Sequence, residues 1–371
     1  MPTPMTTPAK PVEVIAPGST DRFGGRKVRC GVVGVGRMGR HHARVYAQNL
    51  PGCELVGVVD GRKETRDEHA AKWNCRAFAT PEELLAHGVD AVSIAVPTTS
   101  HEETARPFLE KGVACLIEKP LAGDAETARR IRDTAERAGA CLMVGHIERF
   151  NPVMRAVQKA AKEGPPIIPR FMQVIRVSPM TFRSVDVGVV MDMMIHDIDV
   201  VLMLMGKEPD RIRAAGVSVV SPYEDLCDAW LEFDTPHGRC VANVTASRLA
   251  FKTERVTRIT GENAYIKIDY GAKKGNMIRR TANELQVREL QEAIRKGVDL
   301  TTLKWDELVV VDPLIVDDAE PIVAEIGEFI DAVRFARRPS IDAEAGFANV
   351  RTAERIVNAL RDAMGALPRQ A

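Results

Sequence analysis

The sequence has no excess of either charge, because 51 basic residues balance 51 acidic ones. Nucleic acids and anionic membrane surfaces attract fields of positive charge, so the sequence favours neither as a partner. Long apolar runs are also missing. The run over residues 90–97 ends at Pro97, and the run over residues 193–206 contains His196, Asp197 and Asp199. Neither run could span a bilayer.

Cysteine is sparse and unpatterned. The seven cysteines lie at positions 30, 53, 75, 115, 141, 227 and 240, and no two have the CxxC spacing. An odd number without this spacing argues against a disulfide framework and against a zinc site, so we expect no bound metal. The predicted location is the reducing cytoplasm. Residues 1–27 lack the basic and apolar regions of a signal peptide, and their Pro, Thr and Gly content predicts a flexible tail.

From residue 28 the sequence alternates between apolar runs and helical patterns. The apolar runs cover residues 28–33, 54–60, 91–96, 113–117 and 141–145, and the helical patterns cover residues 39–49, 63–73, 101–111 and 124–138. Uninterrupted apolar strands between helices are typical of a parallel sheet that helices cover on both faces. The sequence therefore predicts a doubly wound α/β domain over residues 28–150, in a chain long enough for two domains.

The pattern changes after about residue 151. Strand character is found over residues 170–177, 212–220, 229–233, 240–247, 255–260 and 264–269, and helical character over residues 151–163, 284–295, 321–337 and 343–364. Several of these strands alternate apolar and polar side chains, as in an antiparallel sheet with one face solvated or against a partner. Residues 151–371 are predicted to form an α/β domain with a large, open, mainly antiparallel sheet, whose C-terminal helices could pack back on the first domain.

Three glycines follow the first predicted strand. Gly34, Gly36 and Gly39 form the pattern GxGxxG and open the helix at residues 39–49. Gly34 permits a tight turn, Gly36 lets the backbone approach a pyrophosphate, and Gly39 allows close packing of helix on strand. The helix N-terminus then stabilises the phosphate charge. The pattern predicts a Rossmann dinucleotide site, although ordinary loops and methyltransferases share parts of it.

Asp60 ends the second strand, about twenty residues after the glycines. An acidic side chain at this place accepts hydrogen bonds from the adenosine ribose and repels a 2′-phosphate, so NAD is the predicted cofactor. Arg62 and Lys63 lie close by and could offset that repulsion, which makes NADP the alternative.

Two further motifs could carry chemistry. Lys119, in Glu118-Lys119-Pro120, follows a predicted strand, and ligands of open parallel sheets bind beyond the carboxyl ends of strands. A bond from lysine to proline can also be cis. Asp192 and His196 are four residues apart, so a helix would place them on one face. From the residues alone, Lys119 could equally be a surface lysine, His196 a structural histidine and Asp192 a stabiliser of a helix N-terminus.

From residue 28 onward, the sequence resembles the glucose–fructose oxidoreductase/inositol dehydrogenase (Gfo/Idh/MocA) family in the order and spacing of four motifs. These are the glycine pattern, the turn at residues 96–101, Glu118-Lys119-Pro120 and the Asp192…His196 pair. The resemblance implies that Lys119, Asp192 and His196 line a substrate pocket against the nicotinamide. It also implies that the open sheet forms a homodimer or homotetramer. The implied cofactor contacts are Gly34, Gly36, Arg37, Met38, Gly39, Asp60, Arg62, Pro97, Thr98, His101 and Glu118.

Within that family, residues 145–152, 184–199 and 242–248 resemble the enzymes that oxidise the C3 hydroxyl of UDP-N-acetylglucosamine to a ketone, which a partner aminotransferase can aminate for lipid A. Residues 282–305 fit this pattern poorly. The diphosphate of such a substrate needs cationic or polar partners, and the implied contacts are Arg149, Asn151, Arg183 and Arg248. Each arginine could equally be an ordinary surface residue, and Arg149 with Asn151 could instead fix the domain junction.

The resemblance predicts a mechanism. Removal of hydride from a secondary alcohol requires that the hydroxyl proton leaves too, and His196 titrates in the useful range for a base. Lys119 would stabilise the developing alkoxide, and Asp192 would orient the substrate or His196. The alternatives are a dehydrogenase of inositol, another polyol or another nucleotide sugar, and, from a different class, a non-catalytic NAD-binding regulator. Retention of all three residues argues against the regulator, because a sensor needs no base at the nicotinamide.

Overall fold

The first sheet is parallel and six-stranded in a computed structural model that describes residues 20–163, 166–181, 186–299 and 308–364. Its strands are β1 (Val28–Val33), β2 (Cys53–Val59), β3 (Arg76–Phe78), β4 (Ala91–Ile94), β5 (Ala114–Glu118) and β6 (Leu142–Gly145), in the order β3-β2-β1-β4-β5-β6. The connecting helices are α1 (Gly39–Gln48), α2 (Lys63–Trp73), α3 (Pro81–His87), α4 (His101–Glu110) and α5 (Ala125–Ala138). The order reverses between β1 and β4, which confirms the predicted doubly wound fold and places a ligand crevice at that point.

Local sequence accounts for these elements. Every residue of β4 and of β5 is buried, as expected of strands that helices cover on both faces. Thr80 and Asp124 each accept a hydrogen bond from a backbone N–H in the first turn of the following helix, so they cap α3 and α5. Gly139 ends α5 in the left-handed conformation, with a φ of 62°.

The second sheet has eight strands. They are β7 (Pro169–Val177), β8 (Arg211–Val217), β9 (Leu226–Thr235), β10 (Gly238–Ser247), β11 (Glu254–Gly261), β12 (Ala264–Asp269), β13 (Lys274–Arg280) and β14 (Val309–Pro313), in the order β14-β13-β12-β11-β7-β10-β9-β8. Within the described strands, the central β7–β10 pair is parallel and the other neighbours are antiparallel. The predicted mainly antiparallel sheet is confirmed.

The sequence pattern does not predict the two strands at one edge of this sheet. In β13 only Met277 is buried, and β14 buries none of its side chains. An edge strand with so few inward-facing residues lacks the apolar–polar alternation by which strands are recognised. The sheet is therefore two strands wider than the pattern indicates.

The remaining helices tie the two sheets together. They are α6 (Pro152–Glu163), α7 (Ile195–Met205), α8 (Glu284–Arg295), α9 (Pro321–Arg334) and α10 (Ala343–Met364). α9 packs against α1, and α10 packs against α5 and β6 of the first domain and against α7 and β8 of the second. Within the described ranges, no helix is both long and apolar enough to cross a membrane.

Residues 20–27 differ from the predicted flexible tail. Asp21 forms an ion pair with Arg334 in α9, and the backbone N–H of Arg22 donates to the carbonyl oxygen of Arg334 at 3.0 Å. Arg26 forms an ion pair with Asp90 at 2.6 Å. This segment is therefore packed on the first domain, and residues 1–19 of the predicted tail lie outside the described residues.

A π-helical turn, Val190–Met194, leads directly into α7. The backbone N–H of Ile195 donates to the carbonyl oxygen of Val190, five residues back. Asp192 and His196 are therefore not on one continuous α-helix, as the sequence predicts, but on either side of a change in helix pitch. Such turns inside helices are frequent at functional sites.

Candidate active site

Two glycines in the turn at the end of β1 have no room for a side chain. Gly34 has a φ of 84°, in the left-handed region, and a Cβ there would lie 2.7 Å from the carbonyl oxygen of Ala95. A Cβ on Gly39 would lie 1.7 Å from the carbonyl oxygen of Gly34. A Cβ on Gly36 would meet no atom within 4 Å. Packing therefore requires Gly34 and Gly39, whereas Gly36 faces open space that a pyrophosphate could enter.

The surroundings of this turn suit a dinucleotide. α1 begins with no capping side chain and no acidic residue in its first turn, which favours an anion at its N-terminus. The carboxylate of Asp60 accepts hydrogen bonds from the backbone N–H groups of Val35 (3.2 Å) and Arg62 (3.0 Å). The exposed guanidinium of Arg62 lies 3.5 Å from the same carboxylate. Asp60 is thus fixed where an adenosine ribose would bind.

Four other predicted cofactor contacts border the same crevice. Arg37 and Met38 directly precede α1, Arg37 being exposed and Met38 partly buried. Pro97 is exposed, and Thr98 opens the short 3₁₀ helix that follows β4. All four lie beyond the carboxyl ends of β1 and β4, where ligands of this fold bind.

His101 and Glu118 have partners inside the protein instead. His101 is buried, with Nε2 3.1 Å from the carbonyl oxygen of Val96 and Nδ1 3.1 Å from that of Pro120. Glu118 is also buried, and its Oε1 lies 2.9 Å from Nε2 of His42. Both side chains therefore have partners within the protein, and their contact with the cofactor stays a prediction. They support the two loops that border the crevice.

Lys119 reaches across from the first domain to the second. Its peptide bond to Pro120 is cis. Its Nζ donates to the main-chain carbonyl oxygen of Asp192 at 2.8 Å and lies 3.5 Å from Oδ1 of the same residue. Burial lowers the pKa of Lys119, and the carboxylates of Asp192 and Glu118 oppose that shift. The predicted lysine and aspartate are therefore in contact.

His196 lies beside this pair at the start of α7. Burial lowers its pKa well below the ordinary value for histidine, and the positive charges of Lys119 and Arg176 lower it further. Its Nδ1 is buried with no hydrogen-bonding partner among the described residues. The imidazole is therefore neutral at neutral pH and can act as a base. Lys119, Asp192 and His196 come together as predicted, from both domains.

Two arginines near His196 were not predicted. Arg176 in β7 is buried, and its guanidinium bonds to Asp197 (2.7 Å) and Glu148 (3.0 Å). Arg255 pairs with Arg176 in the register of β11 on β7, is exposed, and adds a positive charge that acts on His196. Arg255 belongs to an alternating strand pattern, but that pattern does not indicate which face of the sheet turns toward the catalytic residues.

Arg149, a predicted substrate contact, has its guanidinium bonded within the protein. Its guanidinium makes two bonds to the carboxylate of Asp199, at 2.7 and 2.6 Å, and a third to the carbonyl oxygen of Ser340 at 3.0 Å. The side chains of Arg149 and Asp199 are 11% and 1% exposed. Arg149 therefore fixes the junction of the two domains, which was the alternative interpretation.

Two of the other predicted substrate contacts also have partners within the protein. Asn151 is buried, and its side chain bonds to Glu148 and to the first turn of α6. Arg248 is buried and donates to the carbonyl oxygen of Val187 at 2.6 Å. Contact of either side chain with a diphosphate stays a prediction. Arg183 lies outside the described residues.

A buried polar network beneath Lys119 also escaped prediction. Nδ1 of His42 lies 2.9 Å from Oγ of Ser93, which in turn lies 2.8 Å from the hydroxyl of Tyr46. With the bond from His42 to Glu118, the chain of contacts runs from the interior to the residue before Lys119. The only signal was the pair of adjacent histidines at the start of α1.

His146 and Glu325 are two more buried polar residues. Both ring nitrogens of His146 and both carboxyl oxygens of Glu325 are buried without a hydrogen-bonding partner among the described residues. Burial raises the pKa of Glu325 well above the ordinary carboxyl value, and the negative charge of Glu118 raises it further. Burial and this neighbouring charge both favour the neutral form of the Glu325 carboxyl. Nothing in the amphipathic pattern of α9 distinguishes it from a surface glutamate.

Family models match both halves of the chain. The model described as the NAD-binding Rossmann fold of the GFO/IDH/MocA oxidoreductases matches residues 28–146, and the model of the GFO/IDH/MocA C-terminal domain matches residues 176–267. A curated relative, the UDP-N-acetylglucosamine 3-dehydrogenase of Acidithiobacillus ferrooxidans, is 36% identical over 86% of this chain and 93% of its own length. The scyllo-inositol 2-dehydrogenase (NAD(+)) of Bacillus subtilis is 31% identical over 60% of this chain and 68% of its own length.

Solved structures agree with this assignment. The structure of UDP-N-acetylglucosamine 3-dehydrogenase from Acidithiobacillus ferrooxidans aligns with a TM-score of 0.78 and 33% identity, covering 92% of this chain and 99% of that one. The WlbA dehydrogenase of Bordetella pertussis, in complex with NADH and UDP-GlcNAcA, has the same fold at 21% identity, with a TM-score of 0.73 over 91% and 97% of the two chains. The chain belongs to the Gfo/Idh/MocA family of NAD-binding oxidoreductases.

Proposed function

We propose that the enzyme removes hydride from a secondary hydroxyl of a sugar, and that this hydroxyl is at C3 of UDP-N-acetylglucosamine. The observation that supports the reaction is the convergence of Lys119, Asp192 and His196 at the carboxyl end of β5, beside the glycine turn. The substrate is supported by the relative from Acidithiobacillus ferrooxidans, which bears this activity in its name. When bound, NAD supplies a nicotinamide ring that accepts the hydride.

His196 takes the hydroxyl proton in this mechanism. Its pKa lies well below the ordinary histidine value because of burial and nearby cations, so the ring is neutral and holds a lone pair for the proton. Nδ1 is buried, so Nε2 is the nitrogen that can reach a substrate. Loss of the proton to His196 prevents positive charge from accumulating at the carbon that gives up hydride.

Lys119 stabilises the substrate oxygen. One of its N–H groups donates to the main-chain carbonyl of Asp192, which fixes the ammonium group while leaving other N–H groups for the sugar oxygen. A fixed donor aimed at developing alkoxide charge lowers the barrier because it needs no reorganisation during the reaction. Asp192 keeps Lys119 in place through its carbonyl and keeps it charged through its carboxylate.

Arg255 is the described cation best placed for a substrate diphosphate. It is exposed, it lies on the side of the sheet that faces His196, and no carboxylate within the described ranges forms an ion pair with it. Arginine suits phosphate recognition because its planar guanidinium can donate two parallel hydrogen bonds. We assign Arg255 the role that the sequence predicted for Arg149 and Arg248.

A comparison of substrates tests the proposal. Reduction of NAD is measured with UDP-N-acetylglucosamine, other UDP-sugars, free N-acetylglucosamine and myo-inositol, with Lys119→Met as the matched inactive control. We expect the highest kcat/KM with UDP-N-acetylglucosamine and a large loss when the nucleotide is removed. Preference for myo-inositol would establish the second candidate, which the inositol dehydrogenase relatives favour. Tight NAD binding without turnover of any sugar would indicate the regulator.

We also propose that the open sheet joins copies of the chain in a homodimer or homotetramer. Phe171 in β7 and Trp230 in β9 are 38% and 42% exposed, with ring centroids 6.3 Å apart. Exposed aromatic pairs of this kind mark interaction surfaces. Light scattering should give a mass above that of one chain, and Trp230→Glu should reduce it. A wild-type protein with the mass of one chain would contradict this proposal.

A further inference from the structure

A chain of buried hydrogen bonds ends on the residue before Lys119. It starts at the hydroxyl of Tyr46, which lies 2.8 Å from Oγ of Ser93, and it continues to Nδ1 of His42 at 2.9 Å. Nε2 of His42 then lies 2.9 Å from Oε1 of Glu118. The side chain of His42 is fully buried, and that of Glu118 is 12% exposed. Solvent therefore has little access to the contact between the imidazole and the carboxylate.

The chemistry of the partners fixes the direction of each hydrogen bond. Burial raises the pKa of Tyr46 well above the ordinary phenol value, so its hydroxyl keeps its proton and can donate to Ser93. Ser93 can then donate to Nδ1 of His42, and the N–H at Nε2 of His42 donates to the carboxylate of Glu118. A neutral imidazole thus satisfies both of its contacts, and Glu118 is an ionised acceptor.

The second carboxylate oxygen of Glu118 faces the catalytic lysine. Oε2 accepts a hydrogen bond from the main-chain N–H of Lys119 at 3.3 Å. A Cβ on Gly145 would lie 3.4 Å from the same oxygen, so the end of β6 leaves the carboxylate little room to turn. Burial lowers the pKa of Lys119, and the charges of Asp192 and Glu118 oppose that shift. Glu118 therefore contacts the main chain of Lys119 and favours its ammonium form.

Other charged and titratable groups surround Glu118 and Lys119. Asp192 in the π-helical turn favours the charge of Lys119, and Arg176 in β7 disfavours it. In the part of the chain that the structure describes, His42 is the only side chain that donates a hydrogen bond to Glu118. Four further titratable groups are affected by the charge of one or both residues, and these are His101, His146, His196 and Glu325.

We propose that His42 is a positioning residue for the reaction: its bond to Glu118 keeps that carboxylate ionised and fixed, and Glu118 in turn holds the main chain and the ammonium charge of Lys119. This inference rests on the proposed function, in which Lys119 donates to the substrate oxygen. Because His42 is fully buried, it acts through Glu118 and not on the substrate. A buried network in which every member has a partner is rigid, as a fixed donor requires.

Loss of His42 should change the charge of both residues. Burial raises the pKa of the Glu118 carboxyl, but the hydrogen bond from His42 and neighbouring positive charge outweigh it, so that the pKa lies below the ordinary value. Without this hydrogen bond, Glu118 should take up a proton at higher pH. Lys119 would then lose a neighbouring negative charge, and its pKa should fall because less opposes the effect of burial.

The first test measures the pKa of Lys119 without turnover. Carbon NMR of the NAD-bound protein, with lysine labelled at Cε, follows the lysines through their titration, and the signal missing from Lys119→Met identifies Lys119. We expect its pKa to fall by roughly one unit or more in His42→Leu and in Glu118→Gln. His42→Gln should restore much of it, because the amide can still donate to Glu118. His237→Leu, in the exposed turn between β9 and β10, is the control and should leave it unchanged.

The pH profile supplies a second readout that a purely structural role would not change. Because the reaction needs the ammonium form of Lys119, the basic limb of kcat/KM should move to lower pH in His42→Leu and in Glu118→Gln. We expect kcat near neutral pH to fall by roughly ten- to a hundredfold with little change in KM, since the misplaced donor acts on the developing alkoxide. His237→Leu should keep the wild-type profile.

The outcomes separate this inference from the proposed function. A Lys119 pKa that is unchanged in both His42→Leu and Glu118→Gln would overturn the inference. A fall in Glu118→Gln alone would also overturn it, since His42 would then not act through Glu118. If His42→Leu does not fold, His42→Asn replaces it, because the shorter amide cannot reach Glu118. None of these results requires oxidation of a sugar, whereas failure of the proposed function is seen as absence of turnover with every sugar.

Discussion

The cofactor half and the substrate half of the crevice depend on different structural features. The cofactor half depends on backbone shape: Gly34 and Gly39 permit a turn that any side chain would block, and α1 presents its uncapped N-terminus. The substrate half depends on charged side chains, such as Arg149 and Arg176, that are bonded to carboxylates before any ligand arrives. Backbone shape is set by neighbouring residues, whereas charge pairing joins residues distant in sequence. The two halves should therefore respond differently to substitution.

Substitution of Gly39 should have the largest effect, in the cofactor half. In Gly39→Ala the added Cβ would lie 1.7 Å from the carbonyl oxygen of Gly34, so the turn must move. We expect the Kd for NAD to rise by roughly a thousandfold or more, about 4 kcal/mol, as measured by calorimetric titration. Gly36→Ala is the matched control for the fold, because its Cβ meets no protein atom: Tm should fall in Gly39→Ala and stay unchanged in Gly36→Ala. Equal losses of Tm in both variants would contradict the steric argument.

Removal of one buried charge should destabilise the substrate half. Arg149→Met leaves the carboxylate of Asp199 buried and unpaired, so we expect the free energy of unfolding to fall by roughly 3–5 kcal/mol in denaturant titrations. Arg26→Met removes an arginine whose side chain is 53% exposed from its pair with Asp90, and should cost less than about 1 kcal/mol. A similar loss in both variants would show that burial of the pair is unimportant.

Lys119→Met should separate the chemistry from the fold. Loss of the donor to the alkoxide should lower kcat by roughly a hundred- to a thousandfold. Because Lys119 also lowers the pKa of His196, its removal should raise that pKa. Protonation inactivates the base, so the acid limb of kcat/KM should move to higher pH. Lys159→Met, at an exposed position in α6, is the control, and an acid limb that stays in place or moves lower in Lys119→Met would contradict the assignment.

The smallest expected effect is at Glu325, whose carboxyl oxygens are buried without a hydrogen-bonding partner among the described residues. It contributes neither to the backbone shape of the cofactor half nor to the ion pairs of the substrate half. Its pKa is raised in the folded state, so the folded protein keeps a proton that the unfolded chain releases. The stability that this bound proton contributes is fully present below the ordinary carboxyl pKa and is lost as the pH rises through the raised pKa of the folded state. Glu325→Met should therefore raise the free energy of unfolding by about 1–3 kcal/mol near neutral pH.

The gain from Glu325→Met should shrink in acid, where the wild-type carboxyl is neutral in both states. Denaturant titrations at several pH values measure it. Glu110→Met, at an exposed position in α4, supplies the control for the loss of a surface charge. A gain that is constant with pH, or a loss of stability near neutral pH, would show that Glu325 has a partner in solution.

The sequence predicts the first domain and its cofactor side well because the signals are local. Strand and helix bounds follow from apolar runs and caps such as Thr80 and Asp124, and the glycine spacing identifies the turn. Lys119, Asp192 and His196 are found through the family resemblance. The contact between Lys119 and Asp192 could not be derived from spacing, because the two residues are 73 positions apart and lie in different domains.

Four predicted site residues share a feature that the sequence does not reveal. His101, Glu118, Arg149 and Arg248 are polar residues in motifs near the crevice, and all four are bonded inside the protein. A sequence shows that a side chain is polar, but not whether it already forms hydrogen bonds or ion pairs with another part of the chain. Arg255 was missed for the converse reason, because only the register of β11 on β7 turns it toward His196.

The position of α10 has a consequence for how the molecule unfolds and moves. This helix packs against α5 and β6 of the first domain and against α7 and β8 of the second, so the two sheets cannot separate without exposing part of α10. A hinge-like opening of the crevice would therefore have to break that packing. The two sheets should melt in one cooperative transition, in spite of their separate folds.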